Sequence, residues 1–161
     1  MALLVSCGSA AGEPVATDRC SAPENPPVQG GSHLLGGNEP PVPWNSVPPT
    51  SGWHASGAFD IGVHGADDPL TEARQVSVLE VGGVVVTYRD VPGAELAAVT
   101  ERIAGTHDGQ VALTPYDRLD PGQVAFTAWG VKQVCDGVDL EALDAFVAAY
   151  AEDHPDTAGA H

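Results

Sequence analysis

The chain has 161 residues, 43% of them hydrophobic, and this length and composition indicate one soluble domain with a core of its own. Asp and Glu number 22 against 6 Lys and Arg, so the formal net charge at pH 7 is -16. This charge excludes nucleic acid as a partner, because phosphate binding needs clustered cations, and an anionic membrane surface would repel the domain. A cation or a basic protein is the partner that the charge favours, and the alternative is that the acidity only keeps the protein soluble.

Residues 1–7 resemble the end of a bacterial lipoprotein signal. The run from Leu4 to Cys7 has the apolar and small residues that precede the lipid-modified cysteine of such signals. We therefore expect Cys7 to carry a lipid and to anchor the protein at the outer face of the cell membrane, with the true start codon upstream of Met1. The alternative is an ordinary N-terminus with one stray cysteine. Residues 8–24 are predicted to form a linker.

Two further cysteines, Cys20 and Cys135, allow one pairing. Outside the cytoplasm we expect them to form a disulfide, which would stabilise the fold by about 4–5 kcal/mol in the chain-entropy model. The alternative is a free, buried Cys135 and an exposed Cys20. No window of the sequence approaches the roughly 20 apolar residues of a membrane span.

Residues 25–153 are predicted to form a single α+β domain that begins with a long, ordered loop rich in proline and glycine. The pattern after this loop predicts five regular elements. In chain order they are a strand over 76–88, a helix over 92–104, a strand over 111–113, a strand over 123–134 and a helix over 140–150 with Asp139 as its N-cap. This order predicts a small mixed sheet with helices packed on one face. We expect residues 154–161 to be a disordered tail.

An ordered set of motifs between His33 and Tyr150 resembles a bacterial family, the domain of unknown function numbered 3105. The family pattern is a histidine, then Pro-Pro-x-Ser-Gly-x-His, then Val-His-x-Leu-Glu-His-Gly before an apolar strand that ends in tyrosine, and later Ala-Trp-Gly. The main matching residues here are His33, Pro48, Pro49, Ser51, Gly52, His54, Leu79, Glu80, Gly82, Tyr88 and Trp129. Ser77 and Val81 stand where the family has the two histidines of its second motif.

The resemblance implies an extracytoplasmic protein with several histidines and a glutamate, a set of residues that favours a transition metal such as copper or zinc. The candidate ligands that this chain keeps are His33, His54, His64 and Glu80. On a regular strand the positions of Ser77 and Val81 face the same way, so the family's two histidines would project together. Because this chain lacks both, its metal site is expected to be degenerate.

Several of these residues also have purely structural interpretations. His54 follows a Ser-Gly turn, where a histidine often bonds a buried carbonyl group. Trp129 is expected to pack in the core, as buried aromatic residues usually do. His107 lies in a polar turn and is expected to be solvated, and His154 and His161 lie in the predicted tail and are expected to have no role.

Three hypotheses for function follow. The first is an exported, lipid-anchored accessory or binding lipoprotein with a degenerate metal site, and the second is a working extracytoplasmic copper-binding protein. The third is an enzyme that uses histidine and glutamate for acid–base chemistry. The sequence has none of the motifs of phosphate-binding loops, Cys-x-x-Cys redox centres, His-Glu-x-x-His metalloproteases or Gly-x-Ser-x-Gly hydrolases. If Glu80 is buried, we expect Arg74, Arg89 or a histidine to pair with it.

Overall fold

A computed structural model describes residues 12–57 and 60–152. Seven strands and three helices are assigned in these two stretches. In chain order they are β1 His33–Leu34, β2 His54–Ala55, β3 Gly62–Val63, α1 Glu72–Glu80, β4 Val84–Tyr88, α2 Gly93–Thr106, β5 Val111–Pro115, β6 Val124–Ala128, β7 Val131–Cys135 and α3 Leu140–Tyr150. The predicted α+β class with a small mixed sheet is confirmed.

The main sheet has five strands in the order β3-β5-β4-β6-β7, and a separate small sheet pairs β1 with β2. The strands β3, β5 and β4 are parallel, whereas β6 and β7 continue the sheet in antiparallel pairs. Residues alternate between the two faces of each strand, so the sheet has two apolar faces to cover.

The larger core lies between the sheet and helices α2 and α3. Val86 and Phe126 from the sheet meet Ile103 from α2 and Phe146 from α3, and all four side chains are buried. The rings of Phe126 and Phe146 are 5.8 Å apart between centroids, a normal packing distance for an aromatic pair. Truncating either ring to alanine would cost about 3–5 kcal/mol.

Helix α1 covers the opposite face of the sheet, so the prediction of helices on one face is wrong. Val78 and Leu79 of α1 pack on Val85 and Ala112, which point away from the larger core because they alternate with its residues. The site described below is built around the end of this helix.

The prediction of one strand over 76–88 is wrong in its first half, where α1 runs to Glu80. The helix begins with Thr71, whose hydroxyl accepts a hydrogen bond from the amide of Arg74. It ends before a pair of glycines. The amide of Gly82 donates a hydrogen bond to the carbonyl of Leu79, and the amide of Gly83 donates one to the carbonyl of Val78. Gly82 has a φ of 88°, as is common where a glycine ends a helix. Tertiary packing around the five consecutive buried residues 75–79 has overridden the strand preference of valine.

The predicted strand over 123–134 is a hairpin, β6 and β7, with its turn at Trp129 and Gly130. Gly130 has a φ of 74°, which a glycine adopts without strain, and this allows the chain to reverse direction. The predicted strand β5 and the helices α2 and α3 are confirmed. Asp139 caps α3 as predicted, because its carboxylate accepts a hydrogen bond from the amide of Ala142 at 3.0 Å.

The N-terminal segment is joined to β7 by the predicted disulfide between Cys20 and Cys135, which closes a separation of 115 residues. The linker predicted over 8–24 extends too far, because Ser21 and Glu24 also bond to the backbone of β7 and cover the edge of the sheet. Cys7 and the predicted tail 154–161 lie outside the described residues. No helix in the described part of the chain has the length and apolar character needed to cross a bilayer.

Candidate metal centre

The small sheet brings two of the predicted ligands together. His33 in β1 and His54 in β2 are direct partners in the parallel register, so their side chains leave the same face of the sheet. Their ring centroids are 4.6 Å apart with the planes nearly perpendicular. His54 is buried, with 4% of its surface exposed, whereas His33 is exposed.

The loop before His54 is a rigid scaffold. Pro48, Pro49, Ser51 and Gly52 are all buried, and the hydroxyl of Ser51 accepts a hydrogen bond from the amide of Gln29 at 2.8 Å. Gly52 has a φ of 115°, and a Cβ there would lie 2.4 Å from the side chain of Gln29. The Pro-Pro-x-Ser-Gly part of the motif therefore fixes the position of His54.

Three further hydrogen bonds join residues of the same loop to one another. The side chain of Asn45 bonds both the amide and the hydroxyl of Thr50, at 3.1 and 2.7 Å. The indole nitrogen of Trp44 donates to the carbonyl of Trp53 at 2.8 Å. These bonds satisfy polar groups of a buried loop that has little regular structure of its own.

Glu80 reaches His54 from the last turn of α1. Its Oε2 atom lies 2.9 Å from Nε2 of His54, and its side chain is 25% exposed. A histidine is therefore a partner of Glu80, as one of the predicted alternatives proposed. Arg74 instead pairs with Asp60 and Asp68.

The protonation of His54 follows from its other nitrogen. Nδ1 lies 3.0 Å from the carbonyl oxygen of Gly52, and because a carbonyl only accepts hydrogen bonds, Nδ1 must carry a proton. In the neutral ring Nε2 is then a bare acceptor that faces the carboxylate of Glu80. A contact between these two acceptors at 2.9 Å requires a hydrogen atom on one of them or a cation between them.

Within residues 12–57 and 60–152, His33, His54 and Glu80 form the one group of three side chains that is suited to hold a metal ion. One ligand atom from each lies within 4.8 Å of the others. Tetrahedral Zn²⁺ with bonds of about 2.1 Å would hold such atoms roughly 3.4 Å apart, so small rotations of the side chains would suffice. The exposed ring of His33 is free of core packing and is the side chain most able to adjust.

His64 is not part of this group, contrary to the prediction. Its amide bonds the carbonyl of Leu113 beside the main sheet, and its Nε2 lies 2.8 Å from the backbone carbonyl of Asp60. The side chain is thus held within its own loop. A sequence pattern cannot distinguish this local contact from a ligand role.

The two positions where this chain lacks the family's histidines lie on the helix rather than on a strand. The hydroxyl oxygen of Ser77 lies 2.8 Å from the carbonyl oxygen of Ala55 in β2 and 2.9 Å from that of Ala73 in α1, so its single hydrogen has two acceptors within reach. Val81 is the buried C-cap residue of α1. The prediction that the side chains at positions 77 and 81 face the same way assumed that both lie on one strand. They lie on the same side of the chain because residues four apart share one side of a helix.

Trp129 is 42% exposed in the β6–β7 turn, so its predicted place in the core is wrong. The turn nevertheless meets the histidine loop, because the amide of Gly130 donates to the carbonyl of Thr50 at 2.9 Å. Trp129 and Glu80 line the same cavity of about 300 Å³. The loop that contains His54, the end of α1 with Glu80 and the Ala-Trp-Gly turn therefore lie next to one another.

His107 is buried, so the prediction that it is solvated is wrong. It is 7% exposed, and its Nε2 lies 2.7 Å from Oδ1 of Asp144 on α3. Arg102 bonds the other oxygen of the same carboxylate. Asp144 is 37 positions away in the sequence, so no local pattern points to this contact.

A larger cavity of about 710 Å³ lies apart from the three ligands, between the proline-rich residues 40–44 and the start of α1. Of its charged groups, Arg74 pairs with Asp60 and Asp68, and Arg118 pairs with Glu72. The hydrogen bonds from Arg74 hold the pKa of Asp60 below its usual value. Burial, followed by the hydrogen bond to Glu72, raises the pKa of Tyr116 beside this cavity. We assign no reactive group to it.

Comparison with known proteins identifies the chain at the level of a family. The model of a protein family of unknown function, DUF3105, matches residues 38–161. This match covers most of the chain, so the protein belongs to the DUF3105 family, as the ordered motifs predicted. No curated protein and no solved structure matches the chain.

Proposed function

We propose that this protein binds a transition metal ion, copper or zinc, through His33, His54 and Glu80. The observation that supports this proposal is the convergence of the three ligand atoms within 4.8 Å around a histidine whose Nδ1 is already occupied. A backbone carbonyl that holds the second nitrogen of a ligating histidine is a recurrent feature of metal sites, because it fixes the ring and leaves Nε2 for the metal.

The ligand types and the charge are consistent with this choice. Imidazole suits copper and zinc, and a carboxylate adds a negative charge that lowers the cost of holding a dication. The formal net charge of -16 raises the local concentration of cations around the protein. Because His33 is exposed, a bound ion would face solvent on one side and could keep a water molecule.

A second candidate is an accessory lipoprotein in which this site is degenerate. The 2.9 Å contact of His54 with Glu80 favours it, because a protonated His54 would complete a hydrogen-bonded pair with no metal present. In this case the pair only joins β2 to the end of α1. The two candidates differ in one measurable property, saturable metal binding.

For the location of the protein, we propose export and lipid attachment at Cys7. The Cys20–Cys135 disulfide supports export, since such bonds persist outside the cytoplasm. Incorporation of labelled palmitate into the product of the full gene, and its loss in Cys7→Ala, tests the anchor. An unlabelled wild-type protein would contradict it.

The decisive experiment is calorimetric titration of the chelator-treated protein with Cu(II) and with Zn(II). We expect one saturable site for one or both ions and an affinity at least about 100-fold weaker in His54→Ala, because loss of a ligand exceeds the 10- to 100-fold effect of removing an outer partner. His107→Ala is the matched control, since it removes another buried histidine that pairs with a carboxylate.

The outcomes separate the two candidates. Binding that His54→Ala weakens and His107→Ala leaves unchanged supports the metal site. No saturable binding by the wild type, or equal binding by His54→Ala, overturns it and leaves the accessory role. Circular dichroism of each variant establishes that the fold is intact.

A further inference from the structure

The cavity of about 300 Å³ at the end of α1 has an unusual combination of walls. Its lining residues are Leu79, Glu80, Gly82, Gly83, Ala128, Trp129, Tyr150 and Glu152. Two aromatic and two acidic residues therefore line one small space. Among the residues that the structure describes, no lysine, arginine or histidine lines it.

The aromatic walls are held by different parts of the fold. Trp129 projects from the turn between β6 and β7, and 42% of its surface is exposed. Tyr150 ends α3 and packs against Phe146, with ring centroids 4.8 Å apart. An indole this exposed gains little from burial within its own chain, so its surface is available to a ligand.

The second carboxylate belongs to a residue whose backbone is fixed. The amide of Glu152 donates to the carbonyl of Gly82 at 3.0 Å, and its own carbonyl accepts from the side chain of Gln110 at 3.1 Å. Gly82 and Gly83 also line the cavity. A Cβ at Gly83 would lie 2.7 Å from the side chain of Val78, so a larger residue there would disturb the packing of α1.

We infer that this cavity binds a small organic ammonium ion, with Trp129 and Tyr150 against its alkyl groups and Glu152 balancing its charge. The face of an aromatic ring attracts a cation, and tryptophan does so most strongly. Aromatic walls are typical of sites for quaternary ammonium groups. Anions are disfavoured by the two carboxylates, and the volume is at the lower end of the range for small-molecule sites.

This site is distinct from the proposed metal function but shares one residue with it. Glu80 approaches His54 through Oε2 and also lines the cavity. The ammonium site is therefore tested in the presence of a chelator, so that metal binding does not contribute. Its result then stands whether or not the protein binds copper or zinc.

The experiment uses choline and tetramethylammonium as probes and 3,3-dimethylbutan-1-ol as the neutral analogue of choline. We expect saturable calorimetric binding of both cations, a change in tryptophan fluorescence, and binding of the neutral alcohol weaker by on the order of 10-fold or more. Trp129→Ala should weaken binding roughly 3- to 30-fold, which is the range for loss of one cation–π contact. Glu152→Gln should weaken the binding of both cations but leave the binding of the neutral alcohol unchanged.

Trp53→Phe is the control, because it changes a tryptophan that does not line this cavity. It should keep the affinity for choline. Equal binding of choline and the neutral alcohol, or an affinity for choline unchanged in Trp129→Ala, would overturn the proposal. Trp129 is exposed, so its replacement leaves the core intact and a loss of binding is not a loss of folding.

Discussion

Two buried histidines of this protein each contact a carboxylate, and the two pairs differ in the additional side chain that lies beside them. His54 lies 2.9 Å from Glu80, and His107 lies 2.7 Å from Asp144. The carboxylate of Asp144 also forms a salt bridge with Arg102, whose side chain is permanently positive. Beside His54, the neighbouring ring is His33, which is another potential ligand.

The comparison separates a structural pair from a candidate binding site. Asp144 joins the end of α2 to α3, and its charge is balanced by a cation from the protein itself. The His33–His54–Glu80 group instead places one possible ligand atom from each of three side chains within 4.8 Å of the others. A buried histidine next to a carboxylate is thus not by itself a sign of function.

The largest expected effect is on the structural pair. Asp144→Ala removes the partner of both Arg102 and His107, and we expect a loss of about 2–3 kcal/mol in the free energy of unfolding, because hydrogen bonds to a charged group are lost. Chemical denaturation at neutral pH measures it. The matched variant Glu80→Ala should cost less without metal, and an equal or larger cost would remove the distinction between the two pairs.

A smaller effect should distinguish the binding group from the structural pair. At a free metal concentration of ten times Kd, we expect the wild type and His107→Ala to gain roughly 1.4 kcal/mol of stability from metal binding at the proposed site. His33→Ala should lose most of this gain because it lacks a ligand. Without metal, His33→Ala should change stability by less than about 0.5 kcal/mol, since the ring is exposed. Thermal unfolding with and without metal tests both statements.

The smallest expected effect concerns a carboxylate that pairs with a cation alone. Asp60 accepts two hydrogen bonds from Arg74, at 2.8 and 2.9 Å, and these lower its pKa. The contribution to stability is therefore present above the unfolded pKa of about 3.9 and is lost as the pH falls through the lower folded value. At pH 7, Asp60→Asn should cost about 0.5–1 kcal/mol.

The pH dependence is the test of that prediction. Below about pH 4 the stabilities of the wild type and Asp60→Asn should converge, as denaturation at several pH values would measure. Asp68→Asn is the control, because its partner contact is more exposed and its cost at pH 7 should be smaller. A difference that stays constant down to pH 2 would contradict the role of the ion pair.

The elements that could be predicted are those whose signals are local. Helices α2 and α3 have apolar residues at helical spacing, and Asp139 caps the second of them. Helix α1 could not be predicted, because residues 75–79 are buried without a break and have no helical periodicity. Its valines favour a strand, and only packing against the sheet decides the outcome.

Three of the four predicted ligands meet, yet no local pattern brings them together. The pairing of β1 with β2 joins residues 33 and 54, and the end of α1 adds residue 80. These are long-range contacts, which depend on the whole fold. Trp129 and His107 were misjudged for the same reason, because exposure and partners are set by distant segments.

The Cys20–Cys135 bond also determines how a pulling force would travel through the protein. A force applied between the chain before residue 20 and the chain after residue 135 passes through this covalent bond and leaves residues 21–134 outside the covalent path. Those residues include all of the five-stranded sheet except Cys135, and both histidines of the small sheet. Under such a load the disulfide would shield the sheet together with His33 and His54.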